Sequence, residues 1–268
     1  MASNAVAIAG VTSKTTLIGV KVLGANGVGD FSDILNGILW AADHGADVAN
    51  MSLGGGFSKA ANGQALSAIN RVFNYAKQKG MLIVVSAGNS AADLQHNGNE
   101  YSTFCDAPHV LCVSSVGLTT PTGNPDLPAF YTNYGRSQVG VAAPGGNGVL
   151  NADGTLQSSI GWPWGASQAS WVWAICPKRS LIIEKNADKV NGDLFLTSCF
   201  SRSLLNGYIG TSQASPHVTG LAALLVDQFG HGQPQQIKQL IEQSAATPAG
   251  WNTAFGRGRI DVAAALGL

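Results

Sequence analysis

The sequence is poor in charge, in long apolar runs and in cysteine. Only 11% of the 268 residues are charged, and 15 basic side chains balance 15 acidic ones. The chain therefore has no net field to attract nucleic acid or an anionic membrane.

Its apolar runs, such as residues 81–85 and 221–226, are too short to span a bilayer, which is typical of a soluble protein. The first residues have neither a basic segment nor a signal-type apolar core, so any export signal is expected to lie outside this chain.

The four cysteines fall into two local pairs, Cys105 with Cys112 and Cys176 with Cys199. Neither pair has the CxxC spacing typical of a zinc site or a redox motif. Two short-loop disulfides, formed in an oxidising compartment, are one interpretation. Buried free thiols are the other, because sequence spacing does not show that two Cα atoms approach closely enough for a bond.

What the sequence does contain is a regular alternation of strand and helix patterns. Apolar, β-branched segments predict buried strands at residues 15–23, 48–51, 81–86, 110–116 and 139–143. Helical spacing of apolar residues predicts helices at residues 32–44, 64–79, 233–245 and 262–266, and another that begins near Ser212. This order is typical of a parallel α/β sheet. Because no linker or second composition interrupts it, we expect one domain over residues 1–268.

Residues 147–208 break this alternation and are predicted to form an irregular insertion. The segment contains the Cys176 and Cys199 pair and four of the six tryptophans, namely Trp162, Trp164, Trp171 and Trp173. Because tryptophan is mostly buried in such settings, a disulfide-pinned excursion that packs on the body is the simpler interpretation. An aromatic rim of a substrate cleft, or an interaction patch, is the alternative.

The most distinctive stretch is GTSQASPHVTG at residues 210–220, which leads directly into the apolar run 221–226. A small-residue turn that enters a helix places the Ser212 hydroxyl near unpaired backbone N–H groups and the positive end of the helix dipole. That environment suits a nucleophile beside an oxyanion site. Serine is also a preferred helix cap, and capped helices far outnumber catalytic ones, so the motif alone favours a cap.

Two predicted strand ends supply further candidates, because ligands in parallel α/β sheets bind beyond the carboxyl ends of strands. Ser52, Leu53 and Gly54 follow the strand at residues 48–51, and Asn89 follows the strand at residues 81–86. Glycines here let a bound chain approach the backbone, and the Asn89 amide is able to donate into the crevice. Taken alone, Asn89 is explained as well by support of a turn.

Read together, these three stretches resemble the subtilisin-like serine proteases, the subtilase family (peptidase family S8). Residues 210–220 resemble the family's nucleophile motif, residues 84–89 its oxyanion-asparagine strand, and residues 46–55 its substrate-binding strand. The resemblance implies a three-layer α/β fold, with a mostly parallel central sheet and helices on both faces, lacking the N-terminal part of the family fold.

The resemblance also implies roles for individual residues. Ser212 is implied to accept the acyl group, and the Asn89 side chain to donate to the oxyanion together with the backbone N–H of Ser212. Ser52, Leu53 and Gly54 are implied to lie along the bound substrate chain as an added strand. The remaining residues implied to bind substrate are Ala87, Gly88 and Thr211.

The chain departs from the family in one serious respect. The catalytic aspartate and histidine motifs of subtilases precede the strand that residues 15–23 resemble, and we expect this chain to contain neither. His217 belongs to the serine motif itself, where the resemblance implies a packing role. In subtilisin, loss of the histidine or the serine lowers the turnover rate about a million-fold, and the remaining rate is still roughly 10³–10⁴ times that of the reaction in water. We therefore expect activated esters to be better substrates than peptides.

Three functional hypotheses follow from these residues. The first is a weak serine hydrolase that acts on peptide or activated ester bonds; the second is a non-catalytic peptide-binding module. The third is a C-terminal fragment that needs an N-terminal fragment or partner chain in trans. No cofactor is expected for the chemistry. Calcium is common in the family, but this sequence has no compact carboxylate cluster to which we can assign it. The resemblance and the cysteine pairs imply a secreted or extracytoplasmic protein.

Overall fold

A computed structural model describes residues 9–24, 26–119, 123–148, 171–175 and 205–268. Within these ranges no helix is long and apolar enough to cross a membrane. Trp162, Trp164 and the predicted Cys176–Cys199 pair lie outside the described residues.

The described ranges contain strands and helices in close agreement with the sequence pattern. The strands are β1 (Val48–Met51), β2 (Phe57–Ser58), β3 (Leu82–Ser86), β4 (Glu100–Tyr101), β5 (Leu111–Val116), β6 (Val139–Pro144), β7 (Val172–Ile175) and β8 (Leu205–Tyr208). The α-helices are α1 (Phe31–Asp43), α2 (Gly63–Gln78), α3 (Thr211–Phe229), α4 (Pro234–Ser244) and α5 (Val262–Leu266). Short 3₁₀ helices span Phe104–Asp106 and Thr253–Phe255.

A parallel sheet with the order β1-β3-β5-β6 forms the centre of the fold. Successive residues of β3 face opposite layers: Ile83 and Val85 pack with α1 and α2, whereas Leu82 and Val84 pack with α3, α4 and α5. Because both faces are covered, β3 is apolar along its whole length and every residue in it is buried. The predicted three-layer α/β fold is confirmed.

The strand predicted at residues 15–23 is wrong, because this segment has no regular strand structure. The side chains of Leu17 and Ile18 are 61% and 47% exposed. Farther along, Val20 and Val22 lie beside Gly37 of α1. An apolar segment becomes a buried strand only where neighbouring strands and layers cover it. Within the described residues, β1 pairs with β3 alone and has no second neighbour.

Two short antiparallel strand pairs were not predicted. β2 pairs antiparallel with β4 and β7 pairs antiparallel with β8. The second pair lies within the segment predicted to be irregular, and its strands are too short to give a clear alternating pattern. The ring of Trp171 packs against Gly207 of β8, and the rings of Trp171 and Trp173 are 6.3 Å apart.

The Cys105–Cys112 disulfide is present, with a Cα–Cα distance of 5.2 Å. Both cysteines are buried, and the bond joins the 3₁₀ helix Phe104–Asp106 to the second residue of β5. Of the two interpretations of this pair, the disulfide is therefore the one observed. It ties the segment after Thr103 to the central sheet, close to the loop that follows β3.

Candidate active site

The candidate site lies where the carboxyl ends of the parallel strands meet the start of α3. Ser52 follows β1, Asn89 follows β3 and Gly145 follows β6. Each of them hydrogen-bonds either the first turn of α3 or Gly210, the residue just before it. Three strand ends that are far apart in sequence thus converge on the start of one helix, as the parallel topology requires.

Pro216 lies inside α3 and has no backbone N–H. In a regular helix the carbonyl of Ser212 accepts a hydrogen bond from the N–H four residues later, at position 216. Here the hydroxyl of Ser52 donates to that carbonyl instead, at 2.8 Å. A side chain from the end of β1 therefore replaces the donor that the proline lacks, and it fixes Ser212 relative to the sheet.

Ser52 is held in turn by a small polar network. Asn50 Nδ2 donates to Ser52 Oγ at 2.9 Å, and Ser215 Oγ lies 2.9 Å from the same oxygen. Because the only hydroxyl proton of Ser52 is used on the Ser212 carbonyl, Ser215 must be the donor in this contact. Thr219 Oγ1 lies 3.1 Å from both Asn50 Oδ1 and the Ser215 carbonyl. The network joins β1 to the first three turns of α3.

Thr211 fixes the orientation of the Asn89 amide. The backbone N–H and the hydroxyl of Thr211 both donate to Asn89 Oδ1, at 2.9 and 2.8 Å. The hydroxyl oxygen of Thr211 also accepts from the backbone N–H of Gly88 at 3.0 Å. Since Asn89 Oδ1 faces the buried Thr211, Asn89 Nδ2 forms the other end of the amide and lies beside Gly210.

Two hydrogen-bond donors at the start of α3 lack a partner within the described part of the chain: Asn89 Nδ2 and the backbone N–H of Ser212. Asn89 is exposed and Ser212 is partly exposed. The first N–H groups of a helix have no partner within the helix, and the positive end of the dipole adds to their attraction for an anion. This pair of donors is suited to stabilise an oxyanion that forms on a carbonyl bound at Ser212.

A buried tyrosine supports the residue that precedes the helix. Tyr131 donates toward the carbonyls of Gly145 and Gly146, at 3.0 and 2.6 Å, and lies 2.8 Å from Ser115 Oγ. The Gly145 carbonyl also accepts from the N–H of Gly210 at 2.8 Å. Burial raises the pKa of Tyr131, so its hydroxyl stays protonated. The turn before Ser212 is thereby attached to the end of β6.

The remaining predicted substrate-binding residues lie around this centre. Ala87 is fully buried, and its N–H donates to the Val113 carbonyl at 2.9 Å. Leu53 packs against the core on the α1 and α2 side of the sheet, whereas Gly54 is exposed. Their contact with a bound substrate stays a prediction.

Ser212 Oγ has no hydrogen-bond partner among the described residues. His217, the histidine nearest in sequence, donates from Nδ1 to the Gln213 carbonyl at 2.9 Å, one turn back along α3. Burial lowers the pKa of His217, which favours its neutral form. It therefore contacts its own helix, as the packing role requires. Across the described ranges, no group of three or more His, Cys, Asp or Glu side chains is arranged to hold a metal ion.

Sequence reasoning missed several residues that build this site. Asn50, Ser215 and Thr219 were not singled out, although Ser215 and Thr219 are four residues apart and therefore share one face of α3. Asn50 has its side chain on the same face of the extended β1 segment as Ser52, two residues away. Spacing identifies these common faces, but it does not reveal that the two faces meet.

The profile of the subtilase family matches residues 1–258. This chain belongs to the subtilase family. Among curated subtilases, the thermophilic serine proteinase of Bacillus sp. (strain AK1) is 30% identical over 97% of this chain and 47% of its own length. Thermitase of Thermoactinomyces vulgaris is 28% identical over 97% of this chain and 68% of its own length. The chain thus spans about half to two thirds of these subtilases.

Solved subtilase structures have the same fold. A protease of Pseudoalteromonas arctica PAMC 21717 is similar with a TM-score of 0.66 and 29% identity, over 97% of this chain and 64% of that one. A lanthipeptide protease is similar with a TM-score of 0.69 and 24% identity, over 92% of this chain and 68% of that one. The fold described above is therefore that of the family.

The Ser52 hydrogen bond to Ser212 leads to a test by a double-mutant cycle. Ser52→Ala leaves the Ser212 carbonyl without a donor and is expected to lower the free energy of unfolding by about 2 kcal/mol. In the Pro216→Ala background, position 216 has a backbone N–H again, so the same change is expected to cost less than about 1 kcal/mol. Urea unfolding of the four proteins measures both values.

Ser137→Ala is the matched control, because Ser137 is an exposed serine whose hydroxyl contacts Gln138 rather than the site. Its effect is expected to be small and equal in both backgrounds. If Ser52→Ala lowers the free energy of unfolding equally in both backgrounds, Ser52 does not replace the N–H that Pro216 lacks.

Proposed function

We propose that the chain is a serine hydrolase that transfers an acyl group to Ser212, with weak activity on peptides and measurable activity on activated esters. Asn89 Nδ2 and the Ser212 N–H carry this proposal, because these donors have no partner among the described residues and lie at the start of the helix that presents the nucleophile. The proteases to which the chain is similar support the reaction class.

The weakness follows from the environment of Ser212 Oγ. A serine hydroxyl is a poor nucleophile until a neighbouring base removes its proton, and no described side chain hydrogen-bonds this oxygen. Attack then relies on water or hydroxide to take the proton. Oγ forms a bond to the acyl carbon, the carbonyl oxygen becomes an oxyanion between the two donors, and the leaving group departs with the electrons of its broken bond.

Without a general acid or base at Ser212 among the described residues, the reaction favours substrates whose leaving group is a weak base. A nitrophenolate leaves without help because it is a weak base, whereas an amine must be protonated by a general acid as the peptide bond breaks. Esters of p-nitrophenol therefore require only the nucleophile and the oxyanion donors. Peptides bound along Ser52, Leu53 and Gly54, with Ala87, Gly88 and Thr211 beside them, are expected to react much more slowly.

The proposal is tested by the turnover of a p-nitrophenyl ester and of a peptide p-nitroanilide. The ester is expected to be hydrolysed by the wild type and not by Ser212→Ala. Asn89→Ala is expected to lower kcat for the ester by roughly 10²–10³, the loss that follows removal of one oxyanion donor in subtilisin. Ser137→Ala serves as the control and is expected to match the wild type.

Equal ester rates in the wild type and Ser212→Ala contradict the proposal. If calorimetry then shows that peptides still bind, and equally to Ser212→Ala, the chain is a peptide-binding module instead. Neither acyl transfer to Ser212 nor peptide binding is expected to need a cofactor. The buried Cys105–Cys112 disulfide supports a secreted or extracytoplasmic location, where such bonds persist.

A second candidate function is catalysis completed in trans by an N-terminal fragment or partner chain. It is favoured by a sheet edge at β1 that has no second neighbour within the described residues, and by the exposed apolar side chains of Leu17, Ile18 and Val20. Several exposed apolar side chains of this kind are typical of an interaction site. An added chain segment that covers it is able to bring a base to Ser212.

The test mixes this chain with a subtilase fragment that contains the aspartate and histidine motifs. Proteolysis of casein is expected to rise at least a hundredfold on mixing, and Leu17→Gln is expected to weaken the gain because it makes the covered surface polar. A mixture with Ser212→Ala is the control. No gain in proteolysis on mixing contradicts this candidate.

A further inference from the structure

A single buried side chain, Asn133, holds the loop that follows β3. Asn133 is 3% exposed and lies between β5 and β6. Its Nδ2 donates to the Ala87 carbonyl at 2.9 Å, while its Oδ1 accepts from the N–H groups of Ser90 and Ala92 at 2.9 and 3.0 Å. One amide therefore bonds backbone groups on both sides of Asn89 without touching the Asn89 side chain.

The fit of this amide also fixes the conformation of Gly88. The backbone N–H of Asn133 donates to the Gly88 carbonyl at 2.9 Å. Gly88 has a φ of +100°, and a Cβ at this position would lie 2.5 Å from Asn133 Nδ2. The residue before Asn89 must therefore be glycine for Asn133 to reach Ala87. Gly88, in turn, donates its N–H to Thr211 Oγ1, so the same loop aligns the contacts that orient Asn89.

We propose that Asn133 is a positioning residue for the oxyanion donor Asn89, through the hydrogen bonds that clamp residues 87–92. The proposal rests on the function proposed above. The planar amide of Asn133 provides a donor, Nδ2, and an acceptor, Oδ1, that receives two hydrogen bonds. Aspartate has the same shape but lacks the donor. Asn133→Asp places a carboxylate oxygen against the Ala87 carbonyl and breaks the clamp at that end.

The kinetic test is a double-mutant cycle with Asn89→Ala, measured on a p-nitrophenyl ester. Asn133→Asp is expected to lower kcat about a hundredfold, comparable to loss of one oxyanion donor, while KM changes less than about threefold. In the Asn89→Ala background, the same change is expected to alter kcat less than about threefold, because the donor that it positions is already gone. An equal loss of kcat in both backgrounds, or no loss in the single variant, overturns the proposal.

Asn147→Asp provides the matched control. Asn147 is also a buried asparagine, 2% exposed, and its side chain bonds the N–H of Phe130 and the carbonyls of Gly117 and Pro128. These bonds do not reach the clamped loop. The effect of Asn147→Asp on kcat is therefore expected to be the same with and without Asn89. A coupling to Asn89 as large as that of Asn133→Asp contradicts a specific role for Asn133.

A second measurement needs neither turnover nor a folded variant. In the wild type, amide hydrogen exchange at Ser90 and Ala92 is expected to be at least tenfold slower than at exposed loop amides, since both N–H groups donate to Asn133 Oδ1. Unprotected exchange at both positions overturns the clamp. If the wild type hydrolyses ester no faster than Ser212→Ala, the proposed function fails, and the exchange rates alone decide whether Asn133 holds this loop.

Discussion

The hydrogen bond from Ser52 to the carbonyl of Ser212 is the constraint on which the candidate site depends. Pro216 lacks the N–H that would normally donate to the Ser212 carbonyl, and Ser52, at the end of β1, provides a replacement donor at 2.8 Å. At this one carbonyl the helix is bonded to a side chain of the sheet rather than to its own backbone. The position of Ser212, the proposed nucleophile, is therefore set by the strand, and the same strand end is the predicted path of the substrate.

The rest of the site extends the same principle to the other strand ends. Thr211 connects α3 to the loop after β3, and Gly210 connects it to Gly145 after β6. Buried polar groups are costly unless they are paired, and these pairs satisfy one another while two donors have no partner among the described residues. Those two donors, on Asn89 and Ser212, are the ones proposed to stabilise the oxyanion. Within the described residues, the Ser212 hydroxyl and the two donors therefore lie together, and no side chain hydrogen-bonds Ser212 Oγ.

Sequence patterns predicted the layers of this fold well, because burial on both faces of a parallel strand leaves a continuous apolar signal, as in β3. They failed at residues 15–23, where the same signal is present but the described sheet has no neighbour to cover it. Ser212 and Asn89 could be proposed from the sequence because their surrounding motifs are distinctive. Asn133 was missed because a buried asparagine in a loop has no pattern of its own; its role depends on which backbone groups the fold brings within reach. The side-chain role of Ser52 was hidden for the same reason.

The most direct test of this account is the pH dependence of acylation at Ser212, followed by mass spectrometry of the intact protein with a p-nitrophenyl ester. With no histidine acting as base, the acylation rate is expected to rise tenfold for each pH unit between pH 6 and 9, since hydroxide removes the proton. The acyl group is expected on Ser212 and to be absent from Ser212→Ala. A rate that levels off with an apparent pKa near 7 contradicts the account, because it shows that a base of that pKa assists Ser212, and acylation at another residue contradicts it equally.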